Sequence, residues 1–267
     1  MKVLIHPGFH KTGTTSLQQF MLVNRAALAP WFDYYGKMDF RAAGAHARIF
    51  GTHPFPWRLL RFRLSLRRFL ARLEPGRNIV ISRETLSGAL PGHRDWRGRV
   101  LQDYQAAAPV LANALRGEIR RRFGTDTQIV FLYTTRDREA WIESLHGHLL
   151  RSTPLALDFA GFRAQFPALL GPEQEARLMA SYLAPDRVEV VSLEHSRDLP
   201  FGAATTVLDL MDVPKAARVP LVQSPKSNAG PSAALRNRFL NLNRQRLRPE
   251  PLHKEKKRLL KAERART

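Results

Sequence analysis

The chain has 267 residues, 44% of them apolar, and a formal net charge of +20 at neutral pH. Length and apolar content predict one sizeable α/β domain, with appendages, around a folded core. The chain holds no cysteine, which excludes disulfides, thiolate metal ligands and a cysteine nucleophile. No apolar run reaches the roughly eighteen residues that a spanning helix needs.

The charge implies an anionic partner: a nucleotide, an acidic polysaccharide, an anionic membrane or a nucleic acid. Arginine predominates over lysine, which suits recognition of phosphate and sulfate. The lack of cysteine is compatible with a reducing compartment, and the N-terminal apolar run is too short for a signal peptide. A cytoplasmic location is therefore expected.

Residues Met1 to Ser16 organise the rest. Val3, Leu4 and Ile5 predict a short buried parallel strand, which Pro7 and Gly8 break. From Thr14 or Thr15 onward, Leu17, Phe20, Met21 and Leu28 recur at helical spacing. Strand, tight loop and helix N-terminus in that order make an anion trap, because the first helical N–H groups lack partners and the helix dipole adds partial positive charge. Gly13 permits close backbone approach, Lys11 supplies a full charge, and Thr12, Thr14, Thr15 and Ser16 supply hydroxyls. The plain alternative is a strand–turn–helix in which Thr14 or Thr15 is only an N-cap. A Walker A loop places its lysine after the second glycine; here Lys11 precedes Gly13.

The aromatic cluster Trp31-Phe32-Asp33-Tyr34-Tyr35 reads as mixed core and pocket wall, and Arg41 to Phe50 as a short helix. From Trp57 to Leu73 the residues Leu59, Phe62, Leu66, Phe69, Leu70 and Leu73 share one helical face, with Arg58, Arg61, Arg68 and Arg72 largely on the other. This basic amphipathic helix either packs on the core as a surface helix or attaches to an anionic membrane or acidic glycan. Asn78 to Ser82 predicts a second buried strand, with Arg83, Glu84 and Thr85 just beyond it. Ligands bind beyond strand carboxyl ends in open α/β sheets, so the Glu84 carboxylate is well placed for chemistry. Its alternatives are an ion pair with Arg83 or a helix cap.

Leu86 to Val100 reads as a loop and Asp103 to Phe123 as mostly helix. Gln128 to Tyr133 predicts a third strand. It runs into Thr134-Thr135-Arg136-Asp137 and then a helix through Trp141, Ile142, Leu145 and Leu149 that carries Ser144. His146, His148 and Arg151 on that helix read as a basic lining rather than metal ligands. Two helices flank Gly171-Pro172, Arg187 to Leu193 predicts a fourth strand, and Leu199 to Met211 a helix. The alternation predicts an α/β fold in three layers, a central parallel sheet flanked by helices. A loop, Ser224 to Pro231, precedes the helix Ser232 to Leu242. From Arg244 the chain is a basic tail with Lys254, Lys256, Lys257, Arg258, Lys261, Arg264 and Arg266, either helical or disordered.

The string Gly8-x-x-Lys11-Thr12-Gly13-Thr14-Thr15-Ser16-Leu17 closely resembles the 5′-phosphosulfate loop of the sulfotransferases that use 3′-phosphoadenylyl sulfate (PAPS), of the bacterial type acting on carbohydrates or lipids. The resemblance implies a P-loop-like fold over residues 1–243, with 244–267 as a basic tail. It implies that Lys11, Thr12, Gly13, Thr14, Thr15 and Ser16 hold the 5′ end of PAPS. Arg136 and Ser144, eight residues apart after a buried strand, match the pair that holds the 3′-phosphate. Lys226, Ser227 and Asn228 match a late loop that closes over the nucleotide. Glu84 becomes the expected general base, His10 the alternative base, and Lys11 the group that stabilises charge on the leaving phosphate; no metal is implied. The expected reaction moves a sulfuryl group from PAPS to a hydroxyl or amine of a carbohydrate or lipid, leaving 3′-phosphoadenosine 5′-phosphate (PAP). The expected setting is the inner face of a membrane, through residues 57–73 and the tail; nucleic acid is not an expected partner. The competing classes are a P-loop-type nucleotide kinase and a non-catalytic basic protein that binds membrane or polyanion. The resemblance does not reach residues 31–77 or the tail, so the acceptor is not legible.

Overall fold

The computed structural model describes residues 1–166, 168–223 and 230–264. In chain order the elements are β1 (Lys2–His6), α1 (Thr14–Val23), α2 (Arg25–Leu28), β2 (Asp33–Tyr35), α3 (Arg41–Thr52), α4 (Pro56–Leu70), β3 (Ile79–Ser82) and a 3₁₀ turn (Glu84–Ser87). Then come α5 (Ala108–Phe123), β4 (Gln128–Thr135), α6 (Arg138–Ser152), α7 (Phe159–Ala164), α8 (Pro172–Leu183) and β5 (Arg187–Ser192). The last are α9 (Leu193–Ser196), α10 (Ala203–Leu210), α11 (Lys215–Arg218), α12 (Ala233–Arg244) and α13 (Pro249–Arg264). The chain forms two compact units: Met1–Arg138 with Leu170–Lys226, and Glu139–Leu169 with Ser227–Thr267.

The first unit is built on a five-stranded, all-parallel sheet in the order β2-β3-β1-β4-β5, flanked by helices. Strand residues alternate between its two faces. Leu4, Val80, Val130, Leu132 and Val191 face a core shared with Leu17, Phe20 and Met21 of α1 and Val207 and Leu208 of α10. Val3, Ile5, Ile79, Ile81, Ile129 and Phe131 alternate with them, all at most 3% exposed. Both faces are covered, which is why the strands read as continuous apolar runs rather than alternating ones.

The structure has one strand more than the four expected. Asp33–Tyr35, read as core and pocket wall, is the edge strand β2, which among the described residues pairs only with β3. The first helix is also shorter than its apolar spacing suggests. It stops at Asn24, whose side-chain amide donates to the carbonyls of Phe20 and Val222.

The connection leaving β1 runs toward β2, and the one leaving β4 runs toward β5 on the other side. Neighbouring parallel strands whose connections diverge leave a crevice at their carboxyl ends, and in open α/β sheets that crevice is where ligands bind.

The second unit is helical. Leu150, Leu235, Phe239 and Leu240 form its core, with Leu155, Leu259 and Leu260 packed against it. Pro249–Arg264 of the basic tail form a helix, α13. Its Lys256 is buried and donates to the carbonyls of Leu150 and Thr153 at 2.6 and 2.8 Å. Burial lowers that ammonium to about 8. The expected boundary at residue 243 falls inside α12. Among the described residues no helix is long and apolar enough to cross a membrane.

Candidate nucleotide-binding loop and its surroundings

β1 ends at His6, and the chain turns at Gly8 (φ 57°), Lys11 (φ 71°) and Gly13 (φ 92°) before α1 begins. A left-handed backbone is uncommon for a lysine. Three such residues in six curl the segment over the end of the strand. The Phe9 carbonyl accepts from the hydroxyls of Thr12 (2.7 Å) and Thr14 (3.3 Å). The Phe9 ring is fully buried against Tyr104 and Tyr133, with centroids 4.8 and 5.0 Å away. The Gly8 carbonyl accepts from Ser87 at 2.8 Å. A Cβ on Gly8 would meet the Thr14 hydroxyl at 2.9 Å, and one on Gly13 would meet Leu193 at 2.8 Å.

What remains open on this loop is backbone. Gly13 is the N-cap of α1 without a side-chain cap, and among the described residues no hydrogen bond takes up the N–H groups of Thr14 and Thr15. Lys11 is half-exposed, and Thr15 and Ser16 are exposed. Thr12 and Thr14, expected as outward donors, are buried and spend their hydroxyls on Phe9. Any contact they make with a phosphate runs through their N–H groups.

Thr12 makes the link that matters for a larger site. Its Oγ1 lies 2.8 Å from Oγ1 of Thr134, near the carboxyl end of β4. β1 and β4 are hydrogen-bonded neighbours, with Ile5 opposite Phe131. The loop and the residues that follow β4 therefore share one edge of the sheet, on either side of the crevice. Arg136 follows β4 directly. Its Nε is buried and has no hydrogen-bond partner among the described residues. A buried guanidinium N–H with no acceptor is costly unless something else supplies one. Arg136 also lines a cavity of about 500 Å³ with Arg138, Arg177, Glu173 and Glu194.

Beneath the loop lies a residue that the sequence reading missed. His6 is fully buried, with Nδ1 2.8 Å from Ser82 Oγ on β3 and Nε2 3.3 Å from Thr134 Oγ1. Burial, opposed by the charge of Glu84, lowers its pKa to about 4, so it is neutral at pH 7. The signal available in the sequence was position: a histidine and two hydroxyl residues at the ends of three predicted strands.

Glu84 opens the 3₁₀ turn after β3, and its Oε2 accepts from Gln18 Nε2 at 3.1 Å. Burial pushes this carboxyl up. His10, its own N–H, Gln18 and His6 outweigh burial and hold it below the usual range. Arg83 is not its partner. That guanidinium turns to the Thr85 hydroxyl and to the carbonyls of Lys37 and Phe40, at 2.8, 3.0 and 3.3 Å. His10 donates its N–H to the Tyr104 hydroxyl at 3.1 Å, and its Nδ1 lies 3.2 Å from the same oxygen. Burial lowers its pKa to about 4, with Glu84 opposing and His93, Lys11 and Arg48 assisting. The imidazole is neutral at pH 7 and one of its nitrogens is tied to Tyr104. The neighbouring carboxylate is ionised.

The first unit thus brings Lys11, the α1 N-terminus, His10, Glu84 and Arg136 to one sheet edge. Ser144 belongs to the second unit, half-exposed on α6. So do His146 and His148. His146 sits against Phe159 and Phe162 with Nε2 3.0 Å from the Leu157 carbonyl, a packing role rather than a lining. Lys226, Ser227 and Asn228 lie outside the described residues. No protein-family model, curated protein or solved structure matches this chain.

Proposed function

We propose that the protein is a sulfotransferase that moves a sulfuryl group from PAPS to a hydroxyl or amine of a carbohydrate or lipid. One observation carries this reading: the loop after β1 is joined through Thr12 and Thr134 to the strand end that bears Arg136, whose buried Nε has no acceptor among the described residues. A nucleotide with anionic groups at both its 5′ and 3′ ends fits two cationic positions on one crevice; ATP lacks the 3′ group.

In this reading the N–H groups of Thr14 and Thr15, the α1 dipole and Lys11 hold the 5′-phosphosulfate. Arg136 supplies a charge-assisted contact to the 3′-phosphate. The acceptor oxygen attacks sulfur as the bond from sulfur to the bridging phosphate oxygen breaks. The electron pair leaves on that oxygen, where Lys11 offsets its charge, and the acceptor proton passes to Glu84. His10 is the weaker choice of base, because Tyr104 occupies one of its nitrogens. A cavity of about 460 Å³, lined by Ser87 and Tyr104 at its buried side and by Asp95, Arg99 and Asp103, is the proposed acceptor vestibule. Cytoplasmic action belongs to the same reading.

The test is transfer of labelled sulfate from PAPS into lipid and polysaccharide fractions, wild type against Lys11→Ala. Label in one fraction, abolished by the substitution, is expected. Equal labelling by both proteins would overturn the assignment.

A further inference from the structure

The exposed side of α4 is not the plain arginine face that its sequence pattern predicts. Trp57, Leu60 and Leu64 stand on it, 54%, 54% and 42% exposed. Their spacing of three and four residues aligns them on one strip. Trp96, 45% exposed, extends the strip from a neighbouring loop. Phe55 fixes both indoles: it stacks on Trp57 at 4.5 Å with an interplanar angle of 6°, and its centroid lies 5.1 Å from that of Trp96. The Arg97 guanidinium lies 4.4 Å over the Trp96 ring.

The charges on α4 itself are one-sided, and Asp95 beside Trp96 is paired with Arg99. α4 carries arginines and no carboxylate. Arg63 and Arg67 are taken up by the buried Glu118. Arg61 and Arg68, on the same side as Trp57, are exposed and take part in no ion pair among the described residues.

We propose that this strip docks the protein on an anionic lipid surface, with α4 lying in the plane of the interface. Two leucines and an indole on α4, with a second indole from the neighbouring loop, reach only the headgroup and upper acyl region, the depth at which tryptophan and arginine are favoured together. The unpaired arginines supply the attraction to anionic headgroups. A second copy fits less well, because a two-fold contact through this strip would set each copy's unpaired arginines against the other's. A soluble polyanion would satisfy Arg61 and Arg68 but leave the four apolar side chains in water. The proposal does not depend on what the loop after β1 binds.

The experiment is co-sedimentation of the full chain with phosphatidylcholine vesicles, with and without about one-third phosphatidylglycerol. It compares wild type, Leu60→Ser/Leu64→Ser and Arg61→Gln/Arg68→Gln, each checked for unchanged circular dichroism and thermal midpoint. Wild type is expected to sediment with the anionic vesicles only, and each double variant to lose roughly tenfold or more of its partitioning. Absence of binding would overturn the proposal. So would binding retained in both variants, since the attraction would then come from elsewhere on a basic chain. Concentration-dependent dimerisation of wild type in light scattering, abolished by Leu60→Ser/Leu64→Ser, would assign the strip to a second copy instead.

Discussion

His6 makes stability depend on acid in a direction that can be worked out. Its pKa is about 4 in the folded chain and 6.5 as an unperturbed side chain. The unfolded state therefore binds more protons between those values, and stability falls as pH drops through that window. Above pH 6.5 the contribution is complete. By about pH 5 roughly 2 kcal/mol is lost, and by pH 4 about 3 kcal/mol, from 1.36 kcal/mol per unit. His10 carries a depressed pKa of the same size, so the total acid sensitivity is larger than that of His6 alone. The assay is urea denaturation of wild type and His6→Asn at a series of pH values, extrapolated to water. At neutral pH the variant is expected to be the less stable, because it leaves Ser82 or Thr134 without the ring nitrogen. The gap should then narrow by roughly 2 kcal/mol as pH falls to about 5. Parallel curves, or a His6 ring proton that titrates near 6.5 in the folded protein, would refute the reasoning.

Other consequences are more local. A Cβ on Gly51 would lie 2.1 Å from the Ala89 backbone nitrogen and 2.8 Å from the Gly88 carbonyl carbon. Gly51→Ala should therefore cost about 3 kcal/mol, since backbone cannot swing aside; a cost below about 1 kcal/mol by denaturation would show that the two segments separate easily. Glu118→Gln leaves Arg63 and Arg67 without their carboxylate. Both arginines reach water, at 44% and 34% side-chain exposure, so the expected loss is about 1–3 kcal/mol rather than that of a fully buried pair; an unchanged urea midpoint would contradict it. If the protein carries out the proposed transfer, Glu84→Gln should lower it by about 10²–10⁴-fold with little change in PAP affinity. His10→Asn should cost far less. The reverse order in steady-state kinetics would move the base to His10.

The parts of the fold that were legible are those whose signal is local. Val3-Leu4-Ile5, Asn78 to Ser82 and Gln128 to Tyr133 gave buried strands, because strands covered on both faces are continuously apolar. Asp33–Tyr35 was not legible as a strand. It is three residues long and pairs on one side, and its aromatic residues suit a core wall equally well. Periodicity placed Phe62, Leu66 and Phe69 correctly on the buried face of α4. It did not show that Trp57, Leu60 and Leu64, which share a helical spacing of their own, lie on the exposed face, because spacing alone does not say which of two apolar strips meets the core. The apolar runs placed the loop, Glu84 and Arg136 just beyond strand carboxyl ends, where they lie, but residue type did not give the direction of a hydroxyl. Thr12 was read as a donor to a ligand, and it points inward to Thr134. The His6 network joins three strands whose order in the sheet the sequence leaves open.

The central claim is that one crevice takes a nucleotide by both its 5′ and its 3′ phosphate. The most direct measurement is calorimetric titration of wild type and Arg136→Ala with PAP and with adenosine 5′-phosphate. Wild type should bind PAP the more tightly, and Arg136→Ala should weaken PAP binding by about 2–4 kcal/mol while leaving the 5′-monophosphate nearly unaffected. Equal affinity for the two nucleotides, or PAP binding indifferent to Arg136→Ala, would contradict it.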